Sequence, residues 1–224
     1  MNETLVIAID GPSASGKSTV ARGVAMALGY VHVDSGALYR GITWNAITAG
    51  IDAADRQRLV THINGCNLQF KVVENTVRFT INGTDPWPFL RSDSVRANVS
   101  TVAAVPEVRE RVVQWLRRMT LFGNLVMEGR DIGSVVFANS RFKFYLDADP
   151  AERARRRCSE LAASENTSLE AVRKALESRD RKDSARDAAP LKIAEGATVI
   201  DTTPMTIDQV VAFIVDHVRT NNPA

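Results

Sequence analysis

Short apolar runs recur along the chain at 5–9 (Leu-Val-Ile-Ala-Ile), 30–34 (Tyr-Val-His-Val-Asp), 125–128 (Leu-Val-Met-Glu), 142–147 (Phe-Lys-Phe-Tyr-Leu-Asp) and 197–201 (Ala-Thr-Val-Ile-Asp). Runs of this length read as strands of a parallel sheet covered on both faces. Helical periods fill the gaps at 17–28, 37–49, 107–120, 150–163, 168–178 and 206–219. Gly29 and Gly50 stop the first two, and Pro106, Pro150 and Thr206 mark starts of later ones. Strands alternating with helices predict an α/β fold in three layers around a five-stranded parallel sheet.

Residues 60–100 break the rhythm. Segments 67–73 and 76–81 alternate in polarity, with Glu74-Asn75 between them and Asn82-Gly83 after. That pattern predicts a small antiparallel hairpin. Pro86-Trp87-Pro88 then forbids regular structure. The segment is expected to be an inserted subdomain sitting over a core made of 1–59 and 101–224.

Composition narrows the class. The chain has 224 residues, 45% hydrophobic and 24% charged, enough to bury a core unaided and neither disordered nor membrane-embedded in character. No apolar stretch approaches the ~18 residues a membrane-spanning helix needs. Cys66 and Cys158 are far apart, without the spacing of a zinc site or disulfide scaffold. Reduced thiols in the cytoplasm are the default expectation. Lys+Arg 28 against Asp+Glu 26 leaves +2, so bulk charge drives binding neither to nucleic acid nor to membrane. Of those 28 cations, 22 are Arg and 6 are Lys. Coding bias and a need for bidentate phosphate grips both produce such a skew.

Chemistry first appears at Gly11-Pro12-Ser13-Ala14-Ser15-Gly16-Lys17-Ser18-Thr19. The segment fits G-x4-G-K-[ST] and lies between a predicted strand and a predicted helix, the context a P-loop requires. Glycines let backbone N–H groups converge on phosphate oxygens, and the helix adds its positive end. Lys17 reaches the terminal phosphates, and Ser18 can ligate Mg²⁺ directly. The loop says nucleoside triphosphate without saying what is done with it. No Asn-Lys-x-Asp guanine reader occurs, and the chain is too short for a large mechanical ATPase. Phosphoryl transfer to a small acceptor, catalysed by positioning and charge neutralisation, is the reading this leaves.

Four segments carry an acceptor site. Asp34-Ser35-Gly36-Ala37-Leu38-Tyr39-Arg40 runs from a strand end into a helix, and offers Arg40 to an acceptor phosphate with Ser35 beside it. Glu128-Gly129-Arg130-Asp131-Ile132-Gly133 follows an apolar strand. Its glycines allow a tight loop presenting Arg130 and Asp131, and Glu128 is a weak candidate to hold Mg²⁺ through water. Ser100 and Arg109 flank the start of a helix, where Arg109, Arg117 and Arg118 read equally well as a solvated face. Residues 178–187, with Arg179, Asp183 and Arg186, alternate in charge without apolar period and read as a mobile segment, either a closing lid or a solvated linker.

The phosphate loop, Asp-Ser-Gly-Ala-Leu-Tyr-Arg (34–40), Glu-Gly-Arg-Asp-Ile-Gly (128–133) and the Arg-Asp-rich segment ending in Ala-Pro-Leu (189–191) together resemble the bacterial cytidylate kinases, in order and spacing along nearly the whole chain. The resemblance implies a P-loop NTPase-type fold and transfer of the ATP γ-phosphoryl group to CMP or dCMP with Mg²⁺, in a cytoplasmic monomer without nucleic-acid or membrane partners. It further implies that Lys17, Arg130 and Arg186 are catalytic. Arg40, Arg130 and Arg186, with Ser35, would hold the CMP phosphate. Ser100, Arg109 and Asp131 would read cytosine, and Arg179 and Asp183 the sugar. Arg153, Arg156 and Arg157 would contact ATP phosphates beside a short lid at about 158–187, and 60–100 would be the monophosphate-binding subdomain. A UMP/CMP or other small-acceptor kinase is the alternative.

The base assignment also follows from hydrogen-bond logic. Cytosine offers an amino donor at N4 and acceptors at N3 and O2, matching Asp131 and Arg109. Uracil would set an oxygen against the carboxylate and leave two acceptors opposed.

Overall fold

A computed structural model describes residues 4–160 and 168–222. Parallel strands β1 (Val6–Asp10), β2 (Val31–Asp34), β5 (Leu125–Gly129), β6 (Phe142–Asp147) and β7 (Thr198–Asp201) lie in the order β2-β5-β1-β6-β7. These are the five parallel strands read from the apolar runs. Alternate β1 residues serve opposite cores, as a period of two dictates. Val6 and Ala8 pack beneath α2 (Ser35–Thr48), α4 (Asp93–Val102) and α5 (Pro106–Arg118). Ile7 and Ile9 pack beneath α1 (Lys17–Leu28) and α8 (Ile207–Asn221). Both faces of the central strands β1 and β5 are covered, which is why those two are buried at every position without alternation.

The hairpin β3 (Leu68–Val73) and β4 (Thr76–Ile81) turns at Glu74 and Asn75, both with positive φ, 48° and 58°. It does not sit over the core. β4 runs beside β2 with His32 opposite Thr76, so one seven-stranded sheet has the order β3-β4-β2-β5-β1-β6-β7. The reason lies in β4 itself: Val77, Phe79 and Ile81 alternate onto one buried face, and that face needs the same helical cover as the parallel strands. Gly41 of α2 makes the close fit possible. A Cβ there would lie 2.5 Å from Phe79 Cε2.

Two helices are absent from the predicted pattern. α3 (Arg56–Asn64) buries only Leu59 and Ile63, and α4 follows the proline-rich turn. α6 (Pro150–Glu160) and α7 (Leu169–Ser184) pack together. Residues 161–163 of the helix expected at 150–163, and 161–167 of the expected lid, lie outside the described residues. The segment read as mobile from Ser178 is instead the helical end of α7. Its carboxylates have fixed cationic partners, Asp180 with Arg153 and Asp183 with Arg130. Among the described residues, no helix is long and apolar enough to cross a membrane.

Candidate active site

The carboxyl ends of β1, β2 and β5 open onto one cavity of about 350 Å³, where ligands bind in open α/β sheets. β1 delivers the phosphate loop. Gly11 passes so near β6 that a Cβ would lie 2.1 Å from the Leu146 carbonyl oxygen. Gly16, with φ 89°, caps α1 in the left-handed region that glycine tolerates. Lys17 is buried at 4% exposure and donates to Pro12 O and Ser15 Oγ. Burial, reinforced by the Arg130 charge, brings its amine down to about 7. Ser18 and Thr19 line the cavity from the first turn of the helix.

β2 ends in Asp34, whose side chain accepts from Ala37 N at 2.8 Å and so caps α2. Its other oxygen accepts from Arg40 at 2.8 Å. Burial alone would raise the Asp34 carboxyl, but Arg40 and the Ala37 N–H outweigh it and hold it below the usual range. Ser35 donates to Glu128 O at 2.7 Å, tying α2 to β5.

β5 ends in Glu128 and the loop that follows. Glu128 is buried, Ser18 donates to it, and its Oε1 has no hydrogen-bond partner. Burial and then Asp34 push its carboxyl up to about 7. Asp10, at the end of β1, accepts from Ile132 N at 2.9 Å and Gly133 N at 2.7 Å, which fixes the turn after Arg130 and Asp131. Desolvation nonetheless raises the Asp10 carboxyl to about 6.

Asp131 accepts from Arg109, and both side chains are 5% exposed. Arg109 also donates to Ala103 O at 2.9 Å and lies over the Tyr39 ring, 5.3 Å from its centroid. The solvated-face alternative for Arg109 is thereby excluded, whereas Arg117 is spent on Val135 O and Val136 O away from the cavity. Arg130 donates to Asp183 at 3.0 Å and to Ser13 Oγ at 2.8 Å. Arg179 and Arg186 reach the same cavity from the end of α7. Burial, with Arg130 nearby, brings Arg179 down to about 10.

The cavity wall therefore gathers Ser35, Arg40, Ser100, Arg109, Arg130, Asp131, Arg179, Asp183 and Arg186 beside Lys17 and Ser18. Arg157 joins them. Arg153 and Arg156 do not. Arg153 is buried behind the loop on Ser13 O, Ala148 O and Asp180, and Arg156 on Glu152 and Thr202. Sequence reasoning missed Asp10, Tyr39 and Asp180. Asp10 had a readable signal, a carboxylate ending an otherwise apolar strand. Tyr39 and Asp180 had none outside the motifs that contain them.

Arg40 Nε, Arg109 Nε, Arg179 Nε and Arg186 Nη2 are buried N–H groups without an acceptor. Buried guanidinium donors without acceptors around one cavity suit an anionic, hydrogen-bond-accepting ligand such as a nucleotide. On the metal side, Glu128 Oε1 and the Ser18 hydroxyl are hard oxygen donors facing each other, the chemistry Mg²⁺ takes. No group of three or more His, Cys, Asp or Glu suited to a metal occurs among the described residues.

Comparison with known proteins agrees. The family model described as cytidylate kinase matches residues 7–220. A cytidylate kinase of Lactiplantibacillus plantarum is 43% identical over 213 residues, covering 95% of this chain and 93% of the relative. Another, of Geobacillus kaustophilus, is 41% identical over 220 residues, covering 98% of each. Among solved structures, a shikimate kinase of Acinetobacter baumannii in complex with shikimate superposes with a TM-score of 0.50 at 17% identity, covering 99% of this chain and 96% of that one, a likeness of fold alone.

Proposed function

The chain belongs to the cytidylate kinase family, and from that membership we propose how its residues move the γ-phosphoryl group of ATP onto CMP or dCMP, giving CDP or dCDP and ADP. It is an ATP-dependent phosphotransferase. The observation that carries the acceptor assignment is the set of buried arginine N–H groups without acceptors around one cavity that also holds the phosphate loop.

The phosphate loop, Gly11 to Thr19, binds ATP phosphates through its backbone, with Lys17 at the terminal ones and Arg157 on the cavity rim. Arg40, Arg130 and Arg186, with Ser35, hold the acceptor phosphate in line with them. Arg130 and Arg186, which line the same cavity as the phosphate loop, would offset charge as it spreads over the transferring oxygens. Arg179 and Asp183 hold the sugar, and residues 60–100 serve as acceptor-side subdomain. Arg153 and Arg156 support the loop from behind. Mg²⁺ would be held by Ser18 directly and Glu128 through water, supplying charge neutralisation between the ATP phosphates.

Ser100, Arg109 and Asp131 read the base. Asp131 accepts from N4, and Arg109 donates to the ring acceptors. The enzyme's partners are ATP, CMP and dCMP, and it works as a cytoplasmic monomer without nucleic-acid or membrane partners; the modest +2 charge supports the last part, since bulk charge drives binding to neither.

An ADP-release assay with CMP, dCMP, UMP and AMP tests this reading. CMP and dCMP should turn over fastest. Faster turnover of AMP would overturn the base assignment, and equal turnover of UMP would point to a UMP/CMP kinase.

A further inference from the structure

Ser13, third residue of the phosphate loop, is held at each of its polar groups by a different element. Its N–H donates to Asp180 Oδ1 of α7 at 3.0 Å. Its carbonyl oxygen accepts from Arg153 of α6 at 3.1 Å. Its hydroxyl accepts from Arg130, in the loop after β5, at 2.8 Å. The circuit is closed, because Arg153 donates to the second Asp180 oxygen and Arg130 donates to Asp183, one turn further along α7. Arg153 is 7% exposed and donates also to Ala148 O at 3.2 Å, so its guanidinium is fixed by the end of β6.

We propose that Asp180 is a positioning residue for phosphoryl transfer: by clasping Ser13 N–H and Arg153 it sets the end of α7, and with it Arg179 and Arg186, in register with the phosphate loop. Three features support the assignment. Asp180 flanks Arg179 in sequence and Asp183 follows three residues on along the same helix, while Arg186, just past the helix end, donates to Asp183 O at 3.0 Å, so a fixed Asp180 fixes the direction of that face and of the residue beyond it. The clasp engages a backbone N–H of the loop itself, so it reports the loop's position rather than that of a side chain able to swing. The carboxylate is matched by one buried guanidinium, and a pair of this kind holds its geometry because either partner alone would be a stranded charge. A misplacement of about 1 Å at reacting groups costs on the order of a hundredfold in rate, so a rigid link between donor-side loop and acceptor-side arginines acts on kcat.

This inference rests on the proposed kinase reading, and its test separates the two. The full-length enzyme and its Asp180→Ala and Asp180→Asn variants are compared by steady-state kinetics and by hydrogen exchange at the Ser13 amide. Asp180→Ala should lower kcat about tenfold or more, with KM for CMP and for ATP within about threefold. Asp180→Asn, which can still accept from Ser13 N–H, should lose less. The Ser13 amide should exchange at least tenfold faster in Asp180→Ala than in the parent. Because removing the carboxylate strands Arg153, a Arg153→Met/Asp180→Leu double variant supplies a folded reference without a buried charge. Its kcat should match that of Asp180→Ala.

A parent-like kcat in either the Ala or the double variant overturns the proposal, as does unchanged Ser13 exchange. Equal losses in Asn and Ala variants, explained by loss of folded protein, also overturn it. If the parent phosphorylates neither CMP nor dCMP, the kinase reading fails, while Ser13 exchange still reports whether the clasp exists.

Discussion

Lys17 is enclosed by the phosphate loop, and burial beside Arg130 brings its amine down to about 7. At pH 8 the ligand-free amine is therefore largely neutral, and incoming phosphates favour its charged form. Binding of metal-free ATP at pH 8 should take up a proton. Calorimetry in two buffers of different ionisation enthalpy would show it, and Lys17→Met should abolish most of the difference. The same variant should cut kcat by about a hundredfold or more, since it removes the charge proposed to meet the terminal phosphates. Glu128 runs the other way. Its carboxyl is raised from 4.5 to about 7 by burial and Asp34. A folded-state pKa above the unfolded value means the fold binds the extra proton, so stability falls as pH rises from about 4.5 to 7 and the cost persists above. Glu128→Gln should raise the melting temperature of the ligand-free protein at pH 8, by about 2–4 °C per kcal/mol recovered, with little gain at pH 4.5. An equal gain at both pH values would contradict the burial argument.

At the scale of elements, α2 and β4 meet at Gly41, where Phe79 fills the space a side chain would need. Gly41→Val should cost about 1–3 kcal/mol by overpacking, seen as a lower urea midpoint at unchanged slope. Which elements were legible follows from how each buries its surface. The central parallel strands β1 and β5 announced themselves because both of their faces are buried. α4 carried a readable helical spacing in Val95, Val99 and Val102, yet Pro86-Trp87-Pro88 before it drew attention to the break. α3 buries too little to show a period, only Leu59 and Ile63. α7 was misread because of its charges. Asp180 and Asp183 look solvated in a sequence, and only the fold brings Arg153 and Arg130 from distant segments to meet them. The lesson for the site is similar. Motif residues were legible as a set, whereas a motif's neighbours, Tyr39 and Asp180, gain meaning from contacts that sequence distance hides.

Over the whole molecule, the arginine skew resolves into place rather than number. Arg40, Arg109, Arg130, Arg179 and Arg186 come from four segments far apart in the chain and share one cavity, so a near-neutral protein presents a locally cationic cleft. Asp131→Asn should erode the preference for CMP over UMP by about ten- to a hundredfold in kcat/KM, which corresponds to about 1.4–2.7 kcal/mol of lost discrimination and lies within the range of a specific base contact. Equal loss for both nucleotides would mark Asp131 as structural. The buried Arg109–Asp131 pair has one more consequence, for how such an enzyme can change over evolutionary time. The two groups proposed to read the base are also ion-pair partners of each other away from water. Replacing Asp131 by an apolar residue strands Arg109, at a cost of about 3–5 kcal/mol, a large part of what holds a domain this size together. Paths toward another base therefore run through paired replacements or polar isosteres, and single drastic changes are removed as folding failures before any new preference can be selected.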